Sequence, residues 1–138
     1  MGKTAKKTII EPMYLLDTNI VIYYLEATLP QKAMRFVRKI VNEQPILSVI
    51  NKIELLGFNA PIKEEQAFTE LFVQEAKIID LDKEIVEQTI IIRKQNRIEL
   101  PDAIIAATAI VYNLTLLTRN TTDFAKIANL QLIDPYLI

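Results

Sequence analysis

The stretch MYLLDTNIVIYYL, residues 13–25, decides the fold class. Residues 13–16 are a short apolar run that stops at a carboxylate, Asp17. An apolar run without polar alternation fits a strand covered on both faces. Thr18 and Asn19 lead into residues 20–27, IVIYYLEA, which fit a short helix. A buried strand feeding straight into a helix is the opening of a βαβ unit.

The same alternation continues along the chain. Pro30 opens a second helix, with Ala33, Met34, Val37, Ile40 and Val41 at helical spacing, and residues 45–48 read as a second strand. The next helix is expected to carry Val49, Ile50, Ile53, Leu56, Gly57 and Ala60 on one side and to end at Pro61. Residues 62–75 are expected to be helical with Ala67, Leu71 and Phe72 inward. Residues 77–79 form a third strand, and a helix then runs to about Arg97 with Ile85, Val86, Thr89 and Ile92 inward. Pro101 and Asp102 begin a helix that is apolar all round over residues 103–112, which places it at the centre of a domain or in an interface. Residues 114–117 and 130–133 are the last strands, separated by a loop and short helix over 118–124. The fold class is α/β: one domain over residues 13–138, with a mostly parallel, short-stranded sheet between helices. Residues 1–12, with Lys3, Lys6 and Lys7, read as a loose basic lead-in.

Composition narrows the chemistry. The chain has no Cys, which excludes thiol nucleophiles, zinc-thiolate sites and disulfides. It has no His, which removes imidazole bases, histidine metal ligands and the Ser-His-Asp triad. Catalysis must then use carboxylates, Lys, Tyr, Ser or Thr, and oxygen-ligated metals. Sixteen basic and seventeen acidic residues give a net charge of −1, unlike a protein that coats nucleic acid. The longest uncharged stretch, residues 103–118, falls short of the ~20 residues that span a bilayer. The start, MGKTAKKTIIEP, has no signal-peptide core. A cytoplasmic protein without a membrane segment is expected.

Ligands of parallel sheets sit beyond the carboxyl ends of the strands. Asp17 directly follows the first strand, and Glu54 lies on the helix after the second. Asp102 is the charge at the head of the apolar helix, and Asn120 and Asp123 follow the 114–117 strand. Each acid has an ordinary use taken singly: Asp17 and Asp102 as helix caps, Glu54 as an edge residue, Asp123 as a turn residue. Their equivalent topological places argue for a shared pocket. Converging carboxylates repel one another unless cations lie between them. Without imidazole or thiol, hard divalent ions such as Mg²⁺ or Mn²⁺ suit that space, and phosphoryl chemistry follows.

MYLLDTNIVIYYL, LSVINKIELLGF, ELPDAIIAATAI and LLTRNTTDF, in that order, closely resemble the four acidic motifs of PIN-domain ribonucleases. The nearest group is the VapC-like toxins of toxin–antitoxin pairs, and the resemblance runs from about Met13 to Ile133. It implies catalytic, metal-holding roles for Asp17, Glu54 and Asp102. In many members of the family an acid occupies the place of Asn120; here Asp123 looks like the surviving acid of the fourth motif. Asn51 stands where relatives often have Thr. The resemblance further implies an endoribonuclease dependent on one or two Mg²⁺ or Mn²⁺ ions, cutting transfer or ribosomal RNA. It also implies a homodimer or dimer of dimers, and a cognate antitoxin that inserts a segment into or across the active groove.

In-line hydrolysis at phosphorus, leaving 5′-phosphate and 3′-hydroxyl ends, needs neither imidazole nor attack by the 2′ oxygen. Thr18, Asn19, Ser48, Thr118 and Asn120 are candidates to orient carboxylates or waters. Lys52, Arg93, Arg97 and Arg119 are candidates to meet RNA, with a solvated helix face the ordinary use for Lys52 and Arg93. Tyr23, Tyr24, Leu25 and Phe58 suit either core packing or a dimer or antitoxin contact.

Three rival readings use the same residues. A haloacid-dehalogenase-type phosphatase needs an acid two positions after its nucleophile, and Asn19 stands there. A topoisomerase-primase-like Asp-x-Asp fits Asp80-Leu81-Asp82, although a turn and a helix cap account for both. A PIN-like module that binds RNA or protein with weak or no catalysis draws on the amide at Asn120.

Overall fold

A computed structural model describes residues 13–59 and 61–138, so the 1–12 lead-in and Ala60 lie outside the described residues. Five strands form one sheet: β1 (Tyr14–Leu16), β2 (Ile46–Ser48), β3 (Lys77–Ile79), β4 (Thr115–Leu117) and β5 (Gln131–Ile133). Their order is β3-β2-β1-β4-β5. Every pairing is parallel, with Leu15 opposite Ile46 and Leu16 opposite Leu117. The sheet expected to be mostly parallel is parallel throughout. Chain order reverses at the β1–β4 boundary, the place where open parallel sheets bind ligands.

Strand side chains alternate between two cores. Leu15, Ile46, Ile79 and Leu116 enter one core, with α5 (Lys83–Gln95) and α6 (Leu100–Val111). Leu16, Leu47 and Leu117 enter the other, with α1 (Thr18–Leu25), α2 (Gln31–Glu43) and α4 (Lys63–Glu75). Helices thus cover both faces, and this is why the strands carry apolar runs instead of alternation. Helix α3 (Val49–Leu56) reaches both cores, Ile50 packing against the first and Leu55 lying in the second. A short α7 (Thr121–Phe124) and a 3₁₀ turn (Pro135–Leu137) complete the described residues. Among these residues, no helix is long and apolar enough to cross a membrane.

Helix α6 explains its own composition. Ala103 through Ala109 are all buried, so the helix has no solvent face over that span. Asn113 then adopts a left-handed conformation (φ 56), and the Leu114 N–H bonds the Ala109 carbonyl at 2.8 Å. This closes the helix and turns the chain into β4. The Tyr112 hydroxyl donates a hydrogen bond to Asp82 Oδ2. Asp82 also caps α5 by accepting from the Ile85 N–H at 2.8 Å. The Asp80-Leu81-Asp82 segment is therefore a strand exit and helix cap, as the ordinary use of those residues implies.

Several faces differ from expectation. Helix α3 ends at Leu56, not at Pro61. Gly57 follows as its cap, where an added Cβ would lie 2.7 Å from the Ile53 carbonyl oxygen. The buried face of α3 holds Asn51 and Leu55, while Ile53 and Leu56 are exposed. On α4 the buried residues are Phe72 and Val73, whereas Ala67 and Leu71 are exposed. On α5, Ile85, Thr89 and Ile92 are buried and Val86 is exposed.

Candidate active site

The carboxyl ends of β1, β2 and β4 bring the predicted polar residues together. Asp17 leaves β1 and takes the cap position of α1 (φ −71, ψ 151). Its backbone N–H bonds the Leu117 carbonyl at 3.0 Å, continuing the β1–β4 pairing one residue past the strands. Its Oδ1 accepts from the Thr18 N–H at 2.9 Å. A helix-capping side chain ordinarily reaches the second or third N–H of the helix, so this contact caps the helix only locally. Its Oδ2 instead accepts from the Thr118 hydroxyl at 2.7 Å, across the switch point.

Thr118 is fully buried, and its oxygen also accepts the Asn120 N–H at 2.9 Å. The Asn120 side-chain amide donates to Asp123 Oδ2 at 3.1 Å. On the other side of Asp17, the Thr18 hydroxyl donates to Glu54 Oε1 at 2.5 Å. It accepts from Asn51 Nδ2 at 2.9 Å. Asn51 Oδ1 accepts the Ser48 N–H at 2.8 Å, and the Ser48 hydroxyl accepts the Ile50 N–H at 2.9 Å, a capping box at the head of α3. One hydrogen-bonded chain thus runs from Asp123 through Asn120, Thr118, Asp17 and Thr18 to Glu54.

Asp102 stands beside this chain in the first turn of α6, half-buried. Its carboxyl is pushed up to about 6 by burial and then by the negative charges of Asp17, Glu54, Asp123 and Glu99. Burial also raises Asp17, with Glu54 adding to the rise and the Thr118 and Thr18 hydrogen bonds opposing it. Asp102 therefore lies within electrostatic reach of the other three sequence-predicted acids, and the charges raising it are all negative. Oxygen donors carrying excess negative charge fit a hard divalent cation. Among the described residues, no three acidic side chains are close enough as they stand to grip one ion.

The remaining candidates divide. Ser48, Thr18, Thr118 and Asn120 belong to the network, whereas Asn19 is exposed on α1 and takes no part in it. Lys52, Arg93, Arg97 and Arg119 are all exposed. The Arg97 carbonyl accepts from Lys126 Nζ at 2.7 Å, and Arg119 stacks on Tyr136. Tyr23, Tyr24 and Leu25 pack on the second core, Tyr24 against Phe72 with ring centres 6.2 Å apart, while Phe58 is exposed.

Sequence reasoning gave no role to two participants. The negative charge of Glu99 helps to raise Asp102, and Asn51, fully buried, supports Thr18. The Ser48-x-x-Asn51 spacing is a capping-box signal that could have found the second. Replacing Asn51 with Leu leaves the Ser48 N–H without its acceptor and Thr18 without its donor. Denaturant unfolding is expected to show a loss of about 1–3 kcal/mol.

Residues 14–130 match the PIN domain family. The chain belongs to that family, as its four acidic motifs imply. PIN domains are in general nucleases that use divalent metal ions. No curated protein matches the chain. Among solved structures, it is similar to a chain of a toxin–antitoxin complex from Klebsiella pneumoniae. That match has 31% identity and a TM-score of 0.69, over 89% of this chain and 98% of that one. VapBC2 from Rickettsia felis, bound to a DNA fragment from its promoter, matches at 26% identity and TM-score 0.74, over 88% of this chain and 97% of that one. FitAcB from Neisseria gonorrhoeae matches at 26% identity and TM-score 0.73, over 91% of this chain and 100% of that one.

Proposed function

We propose that the chain is a Mg²⁺- or Mn²⁺-dependent endoribonuclease, the cytoplasmic toxin of a toxin–antitoxin pair, which blocks translation by cutting transfer or ribosomal RNA. The observation that carries this reading is the hydrogen-bonded chain from Asp123 to Glu54, with Asp102 in electrostatic contact with its three acids. Asp17, Glu54, Asp102 and Asp123 would hold one or two divalent ions through oxygen. That group supplies, when bound, Lewis acidity toward water and the scissile phosphate. The rest of the work falls to this chain's own side chains. Thr118 and the Thr18 N–H aim Asp17, Asn51 aims Glu54 through Thr18, and Asn120 aims Asp123. The amide at Asn120 thus has a use beside the remaining acid, which favours the nuclease over a binding module.

The test is a metal titration followed by product analysis. Cleavage of transfer RNA is expected with Mn²⁺ or Mg²⁺, to vanish with chelator, and to leave 5′-phosphate and 3′-hydroxyl ends. RNA binding without any response to metal would instead establish the binding module.

The Klebsiella neighbour named above is a toxin–antitoxin complex, which supports an antitoxin partner, and this chain has a surface suited to one. A groove of about 700 Å³ runs between α2 and α4, lined by Tyr24, Leu25, Met34, Val41, Phe68 and Leu71 among others. Phe68 is 61% exposed and Leu71 55%, on a helix whose other exposed residues are polar except for Ala67. Exposed aromatic and aliphatic residues around a concavity mark a protein contact. Our reading places an antitoxin contact in this groove, which none of the four acids lines, in addition to the segment that the family resemblance implies in or across the active groove, and makes the active protein a homodimer or dimer of dimers. Phe68→Glu or Leu71→Glu is expected to weaken antitoxin binding at least about 30-fold, read by calorimetry, because a charge would be buried in the contact. Transfer-RNA cleavage by the free variant should persist.

A further inference from the structure

We infer that Tyr136 is a positioning residue, which holds Arg119, the neighbour in sequence of two residues that bond the acids, as a preset phosphate-binding guanidinium. The inference rests on the ribonuclease reading above and adds to it a device for bringing a polyanion to a cluster of carboxylates. Arg119 lies between Thr118, which bonds Asp17, and Asn120, which bonds Asp123. Its guanidinium carbon sits 3.7 Å from the centre of the Tyr136 ring. Of the four candidate cations, it is the one stacked on a ring among the described residues.

Tyr136 is itself fixed. It belongs to the 3₁₀ turn that follows β5, and its N–H bonds Asp134 Oδ1 at 2.9 Å. Tyr23 of α1 meets it edge-on, with ring centres 6.5 Å apart and planes at 82°. Because β5 is parallel to β4, the turn leaves the sheet at the same end as the carboxylates. The Thr118 N–H bonds the Ile133 carbonyl at 3.0 Å, which ties the two strand exits together. One helix, α1, therefore carries Asp17 at its head and braces the Arg119 support through Tyr23.

Stacking engages the flat face of a guanidinium and leaves its N–H edge free. That edge matches two oxygens of a phosphate. A ring beneath the group also restricts the rotamers of a long side chain before substrate arrives, so less freedom is lost on binding. The device suits a chain of net charge −1, whose attraction for RNA must be local.

The experiment measures transfer-RNA cleavage in Mn²⁺ for the full-length wild type, Tyr136→Leu, Tyr136→Phe, Arg119→Ala and the Arg119→Ala/Tyr136→Leu pair. Binding of a fluorescent single-stranded RNA is followed alongside by anisotropy. Tyr136→Leu is expected to raise KM and the RNA Kd about fivefold, with kcat changed less than twofold. Tyr136→Phe, which keeps the ring, should restore the wild-type KM. The pair should be no worse than Arg119→Ala alone, since Tyr136 acts through Arg119. An unchanged KM in Tyr136→Leu, or additive losses in the pair, would overturn the inference while leaving the nuclease reading intact. A wild type that neither binds nor cuts RNA would remove both.

Discussion

Asp102→Asn is expected to abolish RNA cleavage and yet make the metal-free protein more stable. The Asp102 carboxyl is pushed up to about 6 by burial and by four neighbouring carboxylates. A raised carboxyl means that the folded state holds its proton more tightly than the unfolded state does. Below the ordinary carboxylate range both states are protonated, and the site costs nothing. As pH rises from about 4 to about 6, the unfolded chain ionises first, so folding stability falls. Above that window the penalty is constant. At neutral pH it amounts to about 1–2 kcal/mol, after discounting for the partial exposure of the group. Asparagine removes the charge and with it the penalty, so chemical denaturation without divalent ions should give the variant the higher midpoint. Cleavage should fall about a thousandfold or more, since one of four acids is lost from the reacting centre. Added Mn²⁺ should stabilise the wild type, as any ligand of the folded state does, and stabilise the variant much less. A variant less stable than the wild type at neutral pH, or one that still cleaves, would refute the assignment of Asp102. Asp17→Ala and Glu54→Ala are expected to lose cleavage likewise.

The strands and α6 could be read from the chain because burial on both sides leaves a one-dimensional trace. Leu15 and Leu16 face opposite cores, so both are apolar, and residues 103–109 have no wet face to mark with charge. The faces of α3 and α4 left a misleading trace. Ile53 and Leu56 suggest a buried stripe, but Asn51 and Leu55 are the residues inside. Asn51 can be buried because the Ser48 N–H and the Thr18 hydroxyl satisfy its amide, and hydropathy does not register such pairing. Phe68 and Leu71 are apolar and exposed, which hydropathy assigns to a core unless a partner's surface is considered. The site itself divides in the same way. Strand ends located the acids, whereas the Thr18–Glu54 contact joins residues 36 positions apart and the Thr118–Asp17 contact residues 101 apart. No local spacing encodes such contacts; they follow from the β1–β4 register and from the place where α3 begins.

Phe124→Ala is expected to cost about 3–5 kcal/mol, a large part of the stability of a domain this size. Phe124 is fully buried and is the largest such side chain among the described residues. It is the buried residue of α7, a four-residue helix too short to persist on its own. Helix α7 is therefore held in place by one ring in the first core. Removing that ring opens a cavity and frees the segment that carries Asp123. Phe124→Leu separates the two consequences. It refills most of the volume and should lose only about 1–1.5 kcal/mol, so the domain stays folded at room temperature. A shape change beneath Asp123 still shifts a carboxylate that Asn120 aligns at 3.1 Å. Cleavage by Phe124→Leu should therefore fall more, in proportion, than its stability does, with kcat reduced about tenfold. If Phe124→Leu keeps wild-type kcat, Asp123 lies outside the reacting centre, and the acids at work are Asp17, Glu54 and Asp102.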